Sequence, residues 1–106
     1  MTNETSQKNF EKAVALVNNC NKPLPADFLL KIYALYKKAT NDEDKPSSKR
    51  EIINAFKTNA LFQIKHVSSE DAKKEYIKIV NEYFNKLWVL NLLLTGALNT
   101  SVNPLV

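Results

Sequence analysis

Apolar residues recur along this chain at helical spacing, in four blocks separated by polar links. In the first, Phe10, Ala13, Val14 and Val17 fall at i, i+3, i+4 and i+7, one stripe of a helix predicted over residues 6–18. Asn18, Asn19, Asn21 and Pro23 stop it. The second block opens near Pro25, whose missing N–H costs nothing in a first turn. Asp27 suits the positive end of its dipole, and Lys37 and Lys38 suit the negative end. Leu29, Ile32, Tyr33 and Tyr36 repeat the stripe, so a helix is predicted to Ala39 or Thr40.

A polar loop containing Pro46 covers residues 41–48. Ser48 with Glu51 three residues on has capping-box spacing and predicts a third helix from there. Ile53, Phe56, Ala60 and Ile64 line one face of it, with Ile52 beside them. Ser68-Ser69-Glu70-Asp71 is a strong start for the fourth helix. That helix carries Ala72, Tyr76, Ile79, Val80, Tyr83 and Leu87 on one side, with Lys73, Lys74 and Lys78 largely off it.

From Trp88 to Leu98 the chain is almost wholly apolar, broken by Asn91, Thr95 and Gly96. A helix of that length rises about 16 Å, short of the roughly 30 Å of a hydrocarbon core. The expectation is an extension of the fourth helix rather than a membrane span. Self-association, or transient contact with a membrane or a protein, is the other use for such a stretch. The chain thus divides into a helical domain over 6–87 and an apolar tail over 88–106.

Composition narrows the fold. The 106 residues, 44% hydrophobic and 25% charged, suit one globular domain. Gly96 is the sole glycine, which argues against β-rich and doubly wound folds and excludes glycine-rich phosphate loops. Charge narrows the partner: 15 Lys and Arg against 11 Asp and Glu leave +4, favouring an anionic one. All but one of the fifteen are lysines, and Arg50 stands alone without a recognition helix, so nucleic acid is not expected.

Catalytic chemistry is not visible. Cys20 alone excludes an internal disulfide and a multi-cysteine metal site. A calcium loop begun at Asp42 would place Ser47 where glycine is needed and Ile53 where glutamate is needed. His66 lies in a link beside Lys65, far in sequence from Cys20. No catalytic residue, metal or cofactor is therefore expected, and the chain is read as a binding protein and not an enzyme. The polar start, Met1 to Asn9, lacks the apolar run of a signal peptide, so a cytoplasmic address is expected.

The informative stretch is Tyr33-Ala34-Leu35-Tyr36-Lys37-Lys38-Ala39-Thr40. Tyr33 and Lys37 are four apart and share a helix face, with Tyr36 adjacent. Two phenols and an ammonium suit a nucleotide phosphate. They equally suit tyrosines at the core edge and a lysine that complements the helix dipole.

This stretch resembles the Y-x-x-Y-K-Q-A-T signature of the acyl-CoA-binding protein family, with Lys38 in place of glutamine. Phe10-Glu11-Lys12-Ala13, Pro25-Ala26-Asp27 with Leu29 and Leu30, and Ser68-Ser69-Glu70-Asp71-Ala72 with Tyr76 extend the resemblance over residues 10–84. The resemblance implies an all-α, four-helix up-down-down-up bundle, here with an apolar C-terminal extension. It implies a monomeric carrier of medium- to long-chain fatty acyl-CoA. Tyr33, Lys37 and Lys57 would hold the CoA 3′-phosphate, Tyr36 and Tyr76 would meet the nucleotide, and Leu29, Leu30 and Phe56 would meet the acyl chain.

The third helix departs from the family pattern D-x-x-G-x-A-K-W-x-x-W. Lys57 is kept, but Asn54 replaces the glycine, Phe56 the alanine, and Thr58 and Leu61 the tryptophans. Asn18 stands near the place of a basic residue late in the first helix. These departures imply weaker headgroup binding and an altered chain-length preference. They also keep open an alternative, a degenerate version of the fold used as a protein-interaction module through its tail.

Overall fold

A computed structural model describes residues 2–95, and among these four helices form and no strand. They are α1 (Thr2–Asn18), α2 (Ala26–Ala39), α3 (Glu51–Gln63) and α4 (Ser69–Thr95). The order is as expected, but α1 begins four residues before the predicted start.

Side-chain neighbours set the directions. Phe28 stacks on Tyr83 while Tyr36, further along α2, meets Tyr76, earlier in α4, so these two helices are antiparallel. Lys38 at the end of α2 donates to the Lys65 carbonyl just past α3 at 3.1 Å, and Asp27 and Leu30 near the start of α2 share a hollow with Phe56, so α2 and α3 are parallel. Helix α1 runs along α4. The bundle is up-down-down-up, with α2 packed on both α4 and α3 and α1 on α4.

The core is Phe10, Ala13, Ile32, Leu35, Ala39, Ala72, Tyr76 and Val80, so α1, α2 and α4 supply it. Small side chains at Ala13, Ala39 and Ala72 let the helices approach, and Leu35 and Val80 fill the centre. Phe10 stacks on Tyr36 at 5.9 Å and meets Tyr76 edge-on at 5.1 Å, tying three helices at one end.

Two of the expected apolar faces need correction. In α2 the core face is Ile32, Leu35 and Ala39, whereas Leu29 and Tyr36 are 42% and 41% exposed. In α3 the half-buried apolar residues are Ile53, Ala60 and Leu61, with Ile64 just past its end, while Ile52 and Phe56 are exposed. None of its residues is buried. Its five large apolar residues surround the axis, so periodicity alone could not select the packed side.

The helix ends show what local chemistry each boundary uses. Ser68 caps α4 as expected, its Oγ accepting the Asp71 N–H at 3.1 Å. The capping box at Ser48 does not form. Arg50 takes the N-cap position without a side-chain cap. Asn54, one turn inside α3, instead accepts from the Ser48 N–H and donates to its carbonyl, both at 2.8 Å. That pair of bonds pins the incoming loop to α3.

Helix α2 ends in a Schellman motif. Asn41 adopts φ 56°, a left-handed conformation that asparagine tolerates. The Asn41 N–H then reaches the Lys38 carbonyl at 3.2 Å, and the Asp42 N–H reaches the Lys37 carbonyl at 2.9 Å. Helix α4 continues to Thr95, so the division expected between 87 and 88 falls within it. Among the described residues no helix is long and apolar enough to cross a membrane. The side chain of Leu87 and the residues from Gly96 onward lie outside the described part.

Leu35 is 1% exposed at the centre of this arrangement. Leu35→Ala should cost about 2–5 kcal/mol in urea unfolding with an unchanged m-value, from lost transfer energy and the cavity left behind.

Candidate functional site

The stripe Leu29, Ile32, Tyr33, Tyr36 and Lys37 of α2 turns toward α1 and α4 beside the core. Together with Val14 and Asn18 of α1, Tyr76 of α4 and Asp42, it lines a hollow of about 450 Å³. Val14, Leu29 and Ile32 give its apolar lining, beside the polar groups of the other six residues.

Tyr33 is the meeting point of the two site lysines. The Lys57 ammonium lies 4.9 Å from its ring centroid and the Lys37 ammonium 5.8 Å. The π face attracts both cations and lowers the cost of holding two like charges near each other. The ring is half-buried between α2 and α3, and both lysines are half-buried with it. Water therefore screens this pair less than it would exposed ammonium groups.

Lys37 has a second partner that the sequence reading missed. The Schellman turn carries Asp42 back over the end of α2, where its Oδ1 lies 3.2 Å from the Lys37 Nζ. The Asp44 backbone N–H donates to the same carboxylate at 2.9 Å. That hydrogen bond first, and Lys37 second, hold the Asp42 carboxyl below its usual pKa. The signal was the Asn41-Asp42 pair directly after the helix, which supports the left-handed turn.

Tyr36 and Tyr76 also line the hollow, with ring centroids 6.4 Å apart. Tyr36 is exposed, whereas Tyr76 is buried. Asn18 presents an uncharged amide where a cation was the family expectation.

The apolar residues of the expected site do not share one cavity. Leu29 faces the hollow just described. Leu30 and Phe56 line a second one of about 320 Å³ between α2 and α3, with Ala34, Ala60 and Ile64. Adjacent leucines thus serve adjacent hollows. Thr58 and Leu61 border a third hollow, of about 770 Å³, under the loop that includes Asp42, Glu43 and Asp44. Cys20 is half-buried, its thiol donating to the Lys22 carbonyl at 3.5 Å, and His66 is exposed. No cluster of three or more His, Cys, Asp or Glu able to hold a metal occurs among the described residues.

Burial, with a smaller effect from Tyr36, pushes the Tyr76 phenol up from 10.0 to about 12. Between those pH values an unfolded chain releases this proton while the folded one keeps it, so stability falls as pH rises through that range. Urea unfolding of the parent and of Tyr76→Phe across the range should show a shallower pH dependence in the variant.

A family model described as acyl CoA binding protein matches residues 7–80. An acyl-CoA-binding protein of Saccharomyces cerevisiae is 40% identical over 83 residues, covering 73% of this chain and 91% of the relative. An acyl-CoA-binding protein 2 of Saccharomyces pastorianus is 39% identical over 83 residues, with shares of 73% and 91%. No solved structure gives a significant match. With the matched stretch spanning the hollow and most of the bundle around it, this chain belongs to the acyl-CoA-binding protein family.

Proposed function

We propose that this protein binds medium- to long-chain fatty acyl-CoA non-covalently, one ligand per chain, as a carrier that performs no catalysis. The observation that carries the reading is the convergence of Lys37 and Lys57 on the Tyr33 ring, which lines a hollow together with Val14, Leu29 and Ile32. A phosphate monoester is a dianion with several acceptor oxygens, and two ammonium groups with a phenol satisfy it. Tyr33, Lys37 and Lys57 hold the CoA 3′-phosphate, and Tyr36 and Tyr76 contact the adenine nucleotide.

The acyl chain lies along Leu29 and Leu30 toward Phe56. Two neighbouring hollows, one beside the paired lysines and the other with Leu30, Ala34, Phe56, Ala60 and Ile64 in its lining, suit a ligand with an ionic head and a hydrocarbon tail. Phe56 occupies space that the family pattern leaves to an alanine, which shifts the chain-length preference. Asp42 draws on the Lys37 charge, and Asn18 adds none, so the headgroup is held less tightly than the family motif implies.

A second reading keeps the fold as a protein-interaction module acting through the tail. The 57% exposure of Leu93, near the end of α4, favours it.

Calorimetric titration separates the two. Palmitoyl-CoA should bind one-to-one, CoA more weakly and palmitate least. Lys37→Ala should weaken the thioester about 10- to 100-fold, the loss of one charge-assisted contact. Absence of binding to all three ligands would remove the carrier reading and leave the interaction module.

A further inference from the structure

One face of α3, from its flank beside α2 outward, is open and carries three large apolar side chains. Ile52, Ala55, Phe56, Asn59 and Phe62 fall at i, i+3, i+4, i+7 and i+10, and all five are exposed. The three large ones are exposed by 56%, 50% and 62% for Ile52, Phe56 and Phe62. No charged residue interrupts the face.

Its surroundings are basic. Lys49 and Arg50 precede the first turn of α3. Lys31 lines the hollow that Phe56 also lines. Lys65 holds its ammonium 4.1 Å from the Phe62 ring centroid. Asp27, in the same hollow, and Glu51, at the start of α3, are the neighbouring acids.

We propose that this face docks α3 on a bilayer carrying anionic headgroups. Charge complementarity supplies the first argument. An apolar helix face edged by lysine and arginine is the pattern that lies at a lipid interface, with rings in the acyl boundary and cations at the phosphates. Continuity supplies the second. Phe56 and Asn59 belong both to the open face and to the hollow lined by Leu30, Ala34, Ala60 and Ile64. On a bilayer this arrangement puts Phe56, at the mouth of that hollow, beside the acyl boundary. A protein partner would account for the apolar face but gives no role to the hollow that continues from it. The use of the face, loading and unloading an acyl chain, rests on the acyl-CoA reading. The docking itself does not.

The test is flotation of the ligand-free full chain with vesicles of phosphatidylcholine alone and of phosphatidylcholine with phosphatidylserine. Binding to the anionic vesicles is expected, at least tenfold weaker to the neutral ones. The double variant Ile52→Ser with Phe62→Ser should lose tenfold or more in vesicle binding and keep its palmitoyl-CoA affinity in solution. Neither residue lines the proposed ligand site. Leu93→Ser, on α4, should keep vesicle binding. Vesicle binding by a chain without palmitoyl-CoA affinity would support the docking face and sink the carrier reading alone. Undiminished binding of the double variant would overturn the proposal. So would a loss confined to Leu93→Ser, or no partition to either vesicle, which leaves the face to a protein partner.

Discussion

The packing of α2 against α4 is the constraint on which the rest of the molecule depends. Ile32, Leu35 and Ala39 must reach Ala72, Tyr76 and Val80, and this fixes the rotation of α2 about its axis. The same rotation turns Leu29, Tyr33, Tyr36 and Lys37 into the hollow and leaves Leu30 and Ala34 toward α3. Core and site are therefore two faces of one helix, and a change that rotated α2 would lose both. Tyr76 joins the two functions, since it is buried against Phe10 yet lines the hollow.

The hold on α3 is of a different kind. It contributes no buried residue and meets the bundle through α2. Ile53, Ala60, Leu61 and Ile64 give partial burial, the Lys38–Lys65 bond fastens one end, and the Asn54–Ser48 pair fastens the other. Asn54 thereby puts a side chain to work where the family pattern has none. An element so attached opens at lower free energy than the core helices. Lys57, carried on it, reaches Tyr33 only while α3 stays docked.

Much of this was legible in the sequence. Pro25 and Asp27 marked the start of α2, and the Ser68 cap marked that of α4, because both signals act within one turn. The i, i+4 spacing of Tyr33 and Lys37 placed them on one face before any fold was known. What escaped needed tertiary information. The stripe Leu29-Ile32-Tyr33-Tyr36 has core periodicity, yet only Ile32 of the four is buried, since a groove and a core demand the same spacing. Ser48 and Glu51 had capping-box spacing, but the loop from α2 enters at an angle that Asn54 satisfies instead. The Lys37–Asp42 pair depends on a left-handed Asn41 that composition marks only as polar loop. The division of Leu29 from Leu30 and Phe56 between two hollows required the position of α3.

Electrostatically, the site is two lysines gathered on one ring, tempered by one carboxylate. Under the proposed function, this group holds the 3′-phosphate of CoA. The most direct measurement compares palmitoyl-CoA with its 3′-dephospho analogue on the parent chain and on Lys37→Ala. The parent should bind the analogue about 10- to 100-fold more weakly, and the substitution should then cost little further, as expected for groups in direct contact. Equal affinity of the parent for the two thioesters would contradict a phosphate contact at these lysines.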